Sequence, residues 1–354
     1  MMNQQRNYGI DLLRLVLMFM VCMLHVLGQG GILATVPVGS LGHRVFWLIE
    51  IASYCAVDSF AIISGYTATN RRHRYERIVS MWFQAFFYSF ILTIFLSILG
   101  VGEGLDKLDF TRSIFLVTFG NFWYFTAFFA LFFAMPILNK FLFSIDEAQG
   151  KKTFIIFILL FSMMGIFGDP FKSHTGYSAI WLMVLYCLGV LMKRLNLFVR
   201  KKSMTLIIVW ILCILITWFT YIQKGDVFYI SYISPTIVLS GLIMVILFSR
   251  LQLPPNIIVA VSRLSPYAFG IYLFQSNQVI WSHVLKGATA FVVNKSIIVG
   301  ILYVFFFAFL VFILGLLVEM VRSKIDRLLN ISSLSQKIVN AFDKLFLLLS
   351  RFFV

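Results

Sequence analysis

Long apolar stretches recur along the chain, and the polar residues between them form only brief connections. About 20 mostly apolar residues in a helix, rising about 1.5 Å each, cross the hydrocarbon layer of a bilayer. Ten stretches approach that length, near 9–28, 45–66, 79–100, 119–139, 153–169, 175–192, 203–221, 229–249, 261–281 and 293–319. The bilayer core holds no water, so each spanning segment must pair its own backbone groups, which a helix does and a lone strand does not. The pattern predicts an all-α, polytopic transmembrane helix bundle of about 10 spans. The connections are too short for a soluble catalytic domain, so any chemistry is expected inside the bundle or at its mouths. The expected division is a membrane domain over 1–320 and a tail over 321–354. In that tail Ile325, Leu328, Ile338, Phe342 and Phe346 are interspersed with Arg322, Lys324, Arg327, Lys337 and Lys344, as in an amphipathic helix lying on the inner leaflet.

Composition sharpens this picture. Of 354 residues 61% are hydrophobic and 12% charged, where a soluble domain carries about 25% charged residues, which excludes a water-soluble enzyme. The net charge of +15 has no hydrophilic region in which to grip nucleic acid, so a nucleic-acid partner is set aside. Lys and Arg instead mark the cytoplasmic ends of spans. With the N-terminus inside, only Arg44, Lys107, Arg112, Lys172, Lys224, Lys286 and Lys295 of the 29 basic residues fall outside. Both termini are therefore expected in the cytoplasm, and the chain is expected in the cell membrane, that of a bacterium in particular. The first apolar run is long and lacks a small-residue cleavage site, so it reads as a span rather than a signal peptide. The four cysteines, Cys22, Cys55, Cys187 and Cys213, lie in apolar segments without metal-ligand spacing, and no metal site is expected.

Polar groups inside a bilayer are costly, which directs attention to Asp11, Arg14 and His25 in the first span. The eleven steps from Arg14 to His25 turn a helix by about 1100°, some 20° past three turns, and Asp11 falls within about 40° of the same line. One polar stripe runs up the helix, with His25 about 16 Å beyond Arg14. In one reading Asp11 orients Arg14 at the cytoplasmic mouth while His25 acts deeper as a base or acyl carrier. In the other, Asp11 and Arg14 form an interfacial ion pair and His25 a helix contact. Asp58, in the apolar run from Cys55 to Phe60, is a candidate partner for His25 or Arg14, or a hydrogen-bonding group between helices. The cluster Arg71-Arg72-His73-Arg74-Tyr75-Glu76-Arg77 suits the phosphates of a cytosolic ligand and suits anionic lipid heads equally. Pro266 and Gly270 permit a kink in the ninth span, where Tyr267, Tyr272, Gln275 and Asn277 add hydrogen-bonding groups.

The arrangement Asn7-Tyr8-x-x-Asp11-x-x-Arg14, followed after ten residues by His25, resembles the opening signature of the acyltransferase family 3 membrane proteins. Val57-Asp58-Ser59-Phe60 through Ser64-Gly65-Tyr66, the basic loop with Arg71, Arg72 and Arg77, Phe122-Trp123-Tyr124-Phe125 with Pro136, and the 265–273 segment extend the resemblance in order along most of the chain. The resemblance implies an integral membrane O-acyltransferase. Its acyl group, usually acetyl from cytosolic acetyl-CoA as co-substrate, would pass to a hydroxyl of an extracytoplasmic polysaccharide or lipid-linked sugar. Carried over by position, His25 is the base or transient acyl acceptor and Arg14 supports the donor site. Arg71, Arg72 and Arg77 are candidates for the CoA phosphates, and Asp58 is a candidate to orient a catalytic group. Two features depart from the pattern: no fused hydrolase-like domain is present, and Gln275 stands where many members place a histidine. The rival expectation is a transporter or flippase for a glycan or lipid-linked substrate, which would also use buried Asp, Arg and His but would consume no thioester.

Overall fold

A computed structural model describes residues 6–70, 73–101, 107–225 and 230–350. Arg71 and Arg72 therefore lie outside the described residues. Among those described there are helices and turns and no strand. Among the described residues eight helical segments are long and apolar enough to cross a membrane. They begin with α1 (Tyr8–Leu27) continuing through the short α2 (Ile32–Thr35), and α3 (Leu41–Tyr66). Next come α4 (Glu76–Phe86) running on into α5 (Leu92–Ile98), then, after the short α6 (Lys107–Ile114), α7 (Trp123–Ser144) and the segment opened by α8 (Glu147–Phe157). The expected sixth span is α9 (Ala179–Arg194) and the eighth is α11 (Pro235–Ser249), on either side of α10 (Ser203–Lys224). The eight close with α12 (Pro255–Leu264) leading into α13 (Ala268–Gln275), and α14 (Ile297–Leu328); the terminal α15 (Ile331–Ser350) is not one of them.

With 16 and 15 residues, α9 and α11 reach only about 24 Å, short of a hydrocarbon layer of about 30 Å. The middle of each is largely buried among other helices, while the ends are less covered, with Ile180 in the first turn of α9 exposed. By contrast, Phe95, Ile137, Phe167, Leu302 and Phe306 stand exposed on the outside of the bundle, a surface suited to acyl chains and not to water.

The Asn7 side chain accepts a hydrogen bond from the Ile10 amide and so starts α1. This helix occupies the centre, packed on α3, α11, α12, α13 and α14. Its first residues, the end of α3 and the start of α4 lie at one face of the bundle, called here the N-terminal face. The end of α1 and the starts of α3, α7 and α9 lie at the opposite face. α3 and α9 cross with their backbones in near contact. A Cβ at Gly65 would sit 1.9 Å from the Tyr186 carbonyl oxygen, and one at Gly189 would sit 2.2 Å from that of Ile62. Only glycine lets the two helices approach so closely.

Two helices are broken where they meet the centre. A π-helical turn, Phe87–Ile91, joins α4 to α5 and delivers the Tyr88 hydroxyl to Glu319 of α14 at 2.8 Å. A 3-10 turn, Ser265–Tyr267, with Pro266 inside it, separates α12 from α13. At the N-terminal face α14 runs through the expected boundary at 320 as far as Leu328. α15 then lies along α4, with Ser80 Oγ 2.9 Å from Ser335 Oγ, and leaves Phe342, Phe346 and Leu347 exposed.

Candidate active site

The stripe on α1 faces a cavity of about 760 Å³ that extends from near the N-terminal face toward the opposite one. Arg14, Met18, Val21, His25 and Gly28 line it, the 3.6-residue repeat of one helix face. Glu50, Tyr54, Val57 and Ser64 of α3 form a second wall with the same repeat. The broken helix supplies a third wall through Pro266, Ala268, Phe269 and Tyr272. An unbroken helix could not present Pro266 here without losing a backbone hydrogen bond in its interior.

At the N-terminal end Asp11 is 4% exposed and receives Arg14 Nη1 and Arg6 Nε, each at 2.5 Å. Asp11 thus fixes the direction of Arg14, which lines the cavity while Asp11 does not. Nearer the opposite face His25 remains partly accessible from the cavity. The Trp281 ring meets the imidazole edge-on, 4.8 Å between centroids. Gln275, 0% exposed, lies beside both His25 and Cys22 and directs Nε2 toward Met18 Sδ at 3.6 Å. His25 Nδ1 and Gln275 Oε1 are buried, and neither has a hydrogen-bond partner among the described residues.

Asp58 occupies a different place. It is 0% exposed, accepts the Trp181 Nε1 hydrogen bond at 3.1 Å, and packs close to Gly241 between α3, α9 and α11. The structure does not bring it to the cavity wall beside His25 or Arg14.

A second cavity, of about 1050 Å³, opens at the N-terminal face between the end of α3, the start of α4 and the end of α7. Its wall carries His73, Arg74, Arg77 and Lys140, with Thr67, Asn70 and Asn139 among the neutral polar groups. Arg74 is engaged by Glu76 at 2.5 Å. No ion pair engages Arg77 or Lys140 among the described residues. Burial, and next the Arg77 guanidinium, hold the His73 imidazole below its ordinary value, while Glu76 acts in the opposite sense. Ser64, Met81 and Phe128 belong to the walls of both cavities, so the basic chamber abuts the one containing His25. Each volume is large enough for a sizeable organic ligand.

Of the residues singled out by sequence, Arg14 and His25 share one cavity, Asp11 supports Arg14, and Arg77 lines the adjoining chamber. Lys140 and Glu50 were not anticipated. Lys140 lies far along the chain from the basic loop, whereas Glu50 offered a signal, a carboxyl group in an apolar span. Among the described residues no group of three or more His, Cys, Asp or Glu side chains is placed to hold a metal ion.

No curated protein and no solved structure matches the chain. Residues 7–320 do match the profile of the acyltransferase domain Acyl_transf_3, a match that takes in both cavities and every helix from α1 to most of α14. The chain is thus a multi-pass membrane protein of acyltransferase family 3.

Proposed function

We propose that the protein transfers acetyl from acetyl-CoA, supplied at the N-terminal face, to a hydroxyl of a cell-envelope polysaccharide or lipid-linked sugar that enters from the opposite face. The observation that carries this reading is the pair of abutting cavities, one basic and one containing His25. The basic side chains collected at the N-terminal face favour its being cytoplasmic, where acyl-CoA is found. Arg74, Arg77 and Lys140 would hold the CoA phosphates, for which guanidinium groups are well shaped. The thioester would then reach the His25 cavity past Ser64, Met81 and Phe128, with Arg14 supporting the donor.

The reaction requires little more. As the acceptor hydroxyl oxygen bonds to the thioester carbon, His25 removes its proton; the C–S bond breaks and that proton passes to the departing thiolate. In the two-step alternative the imidazole first takes the acyl group, releasing the thiol, and then yields it to the hydroxyl. Asp11 acts by holding Arg14. The test is release of free thiol from acetyl-CoA by the protein in nanodiscs, with appearance of acetyl on an envelope glycan extract. Absence of both from folded protein, across short-chain acyl-CoA donors, would favour transport of the glycan instead.

Donor binding is also expected to depend on pH through His73. Its value lies below the ordinary one, so the imidazole is neutral near pH 7, and a bound polyanion favours the protonated form. Binding therefore takes up a proton, and this contribution to affinity grows as pH falls through the ordinary histidine value of about 6.5 and below. The CoA phosphates titrate in the same region, so the relevant quantity is the Kd ratio between His73→Gln and the parent for a non-reactive CoA thioether. That ratio should rise severalfold from about pH 7.5 to about pH 5.5; a constant ratio would contradict it.

A further inference from the structure

The half of the cavity nearest the opposite face contains groups that donor binding and proton transfer do not use. Glu50 is 7% exposed and lines the cavity, and its Oε2 is buried with no hydrogen-bond partner among the described residues. No Lys, Arg or His forms an ion pair with it among those residues. The Tyr124 hydroxyl on the same cavity is also buried and unpartnered. One turn beyond Glu50, Tyr54 opens a cluster of four rings drawn from four separate segments. Tyr54 stacks on Tyr232 at 4.6 Å, Trp123 meets Tyr177 at 4.5 Å, and Tyr177 meets Tyr232 at 5.1 Å between centroids. Tyr177 is 46% exposed and stands at the mouth, while Tyr232 is 5% exposed.

A buried polar atom without a partner destabilises the fold unless something in the cavity pairs with it. An acyl chain offers Glu50 and Tyr124 nothing. A cation would suit Glu50 and the rings, but it has no acceptor for the tyrosine hydroxyl. A neutral sugar ring meets every requirement. Its hydroxyls both donate and accept, and its C–H faces pack on aromatic rings.

We propose that Glu50 and Tyr124, with the rings of Tyr54, Trp123, Tyr177 and Tyr232, form the acceptor subsite, and that the Glu50 carboxyl group engages two adjacent hydroxyls of a neutral sugar. This rests on the acyl-transfer reading, since it names how that reaction holds its acceptor. Glu50 is then a positioning residue. Its removal weakens acceptor binding and leaves the donor chemistry intact.

The test uses the full chain in nanodiscs and neutral oligosaccharides released from cell envelopes, intact or treated with periodate, which cleaves adjacent hydroxyl pairs. Glu50→Gln should raise the acceptor KM about tenfold or more, with donor KM and acceptor-free thiol release unchanged. Tyr124→Phe, which removes a single oxygen atom, should raise the acceptor KM severalfold and serves if Glu50→Gln fails to fold. Labelled oligosaccharide should bind without donor, and periodate treatment should abolish that binding. Unchanged acceptor KM in the folded variants, equal binding of periodate-treated sugar, or displacement of the sugar by tetramethylammonium through the Glu50 site would each overturn the proposal. If the parent protein releases no thiol, acyl transfer is what fails, and donor-free binding to the parent and Glu50→Gln proteins still decides the subsite.

Discussion

Replacing His25 with Ala is expected to lower acyl transfer by roughly 10²–10⁴-fold, the usual contribution of a positioned acid or base, while donor binding stays within about twofold of the parent. The separation follows from position. His25 lies about 16 Å along α1 from Arg14, and the basic chamber that would hold the donor phosphates lies beyond Ser64, Met81 and Phe128. The imidazole borders Trp281 and Gln275 and is absent from the wall of that chamber. Steady-state transfer of radiolabelled acetyl and equilibrium binding of a CoA thioether check the two halves of this expectation. The same label distinguishes the two roles of His25. Acetyl that stays on the parent protein without acceptor, is released by hydroxylamine, and is absent from His25→Ala would identify an acyl carrier. Acceptor-dependent transfer with no such label would identify a base. A variant that transfers acetyl within about tenfold of the parent would remove His25 from the chemistry.

The second large effect is on stability. Glu319 on α14 is 2% exposed and receives two hydrogen bonds of 2.7 Å from Arg322, with others from Tyr88 at 2.8 Å and Gln84 at 3.0 Å. Arg322, 5% exposed, also pairs with Asp326. The node fits tightly against α13, because a Cβ on Gly270 would sit 2.2 Å from Glu319 Oε2. Arg322→Met would leave the carboxylate buried with two neutral donors, a loss of about 3–5 kcal/mol. Glu319→Gln combined with Arg322→Met should recover most of it, because the pair repays its own desolvation only in part. The four buried free cysteines provide the readout, since a thiol-reactive dye labels them as the bundle opens on heating. A melting temperature for Arg322→Met within about 1 °C of the parent would contradict this account of the node.

How far the sequence led depended on whether information was local. The α1 stripe could be read because a regular helix sets the direction of each side chain, and Met18, Val21 and Gly28 fill the same face between Arg14 and His25. Which of two carboxyl groups on α3 faces the cavity could not be read in this way. Glu50 and Asp58 are eight residues apart, about 80° apart after two turns, and their surroundings are decided by distant segments. Trp181 of α9 and Gly241 of α11 draw Asp58 into helix packing, leaving Glu50 on the cavity. The basic chamber likewise combines Arg77 with Lys140 of α7, a meeting that only the antiparallel packing creates. Nor does the apolar run around Phe87–Ile91 announce its π-helical turn, although that turn is what carries Tyr88 to Glu319.

The most direct measurement is transfer across a sealed membrane. Proteoliposomes would enclose the acceptor oligosaccharide, with radiolabelled acetyl-CoA, which does not cross the bilayer, added outside. If the basic chamber and the His25 cavity form one path through the bundle, label accumulates on enclosed acceptor, and acceptor supplied only outside remains unlabelled. Label appearing on outside acceptor alone would place donor and acceptor at the same face and contradict a path across the membrane.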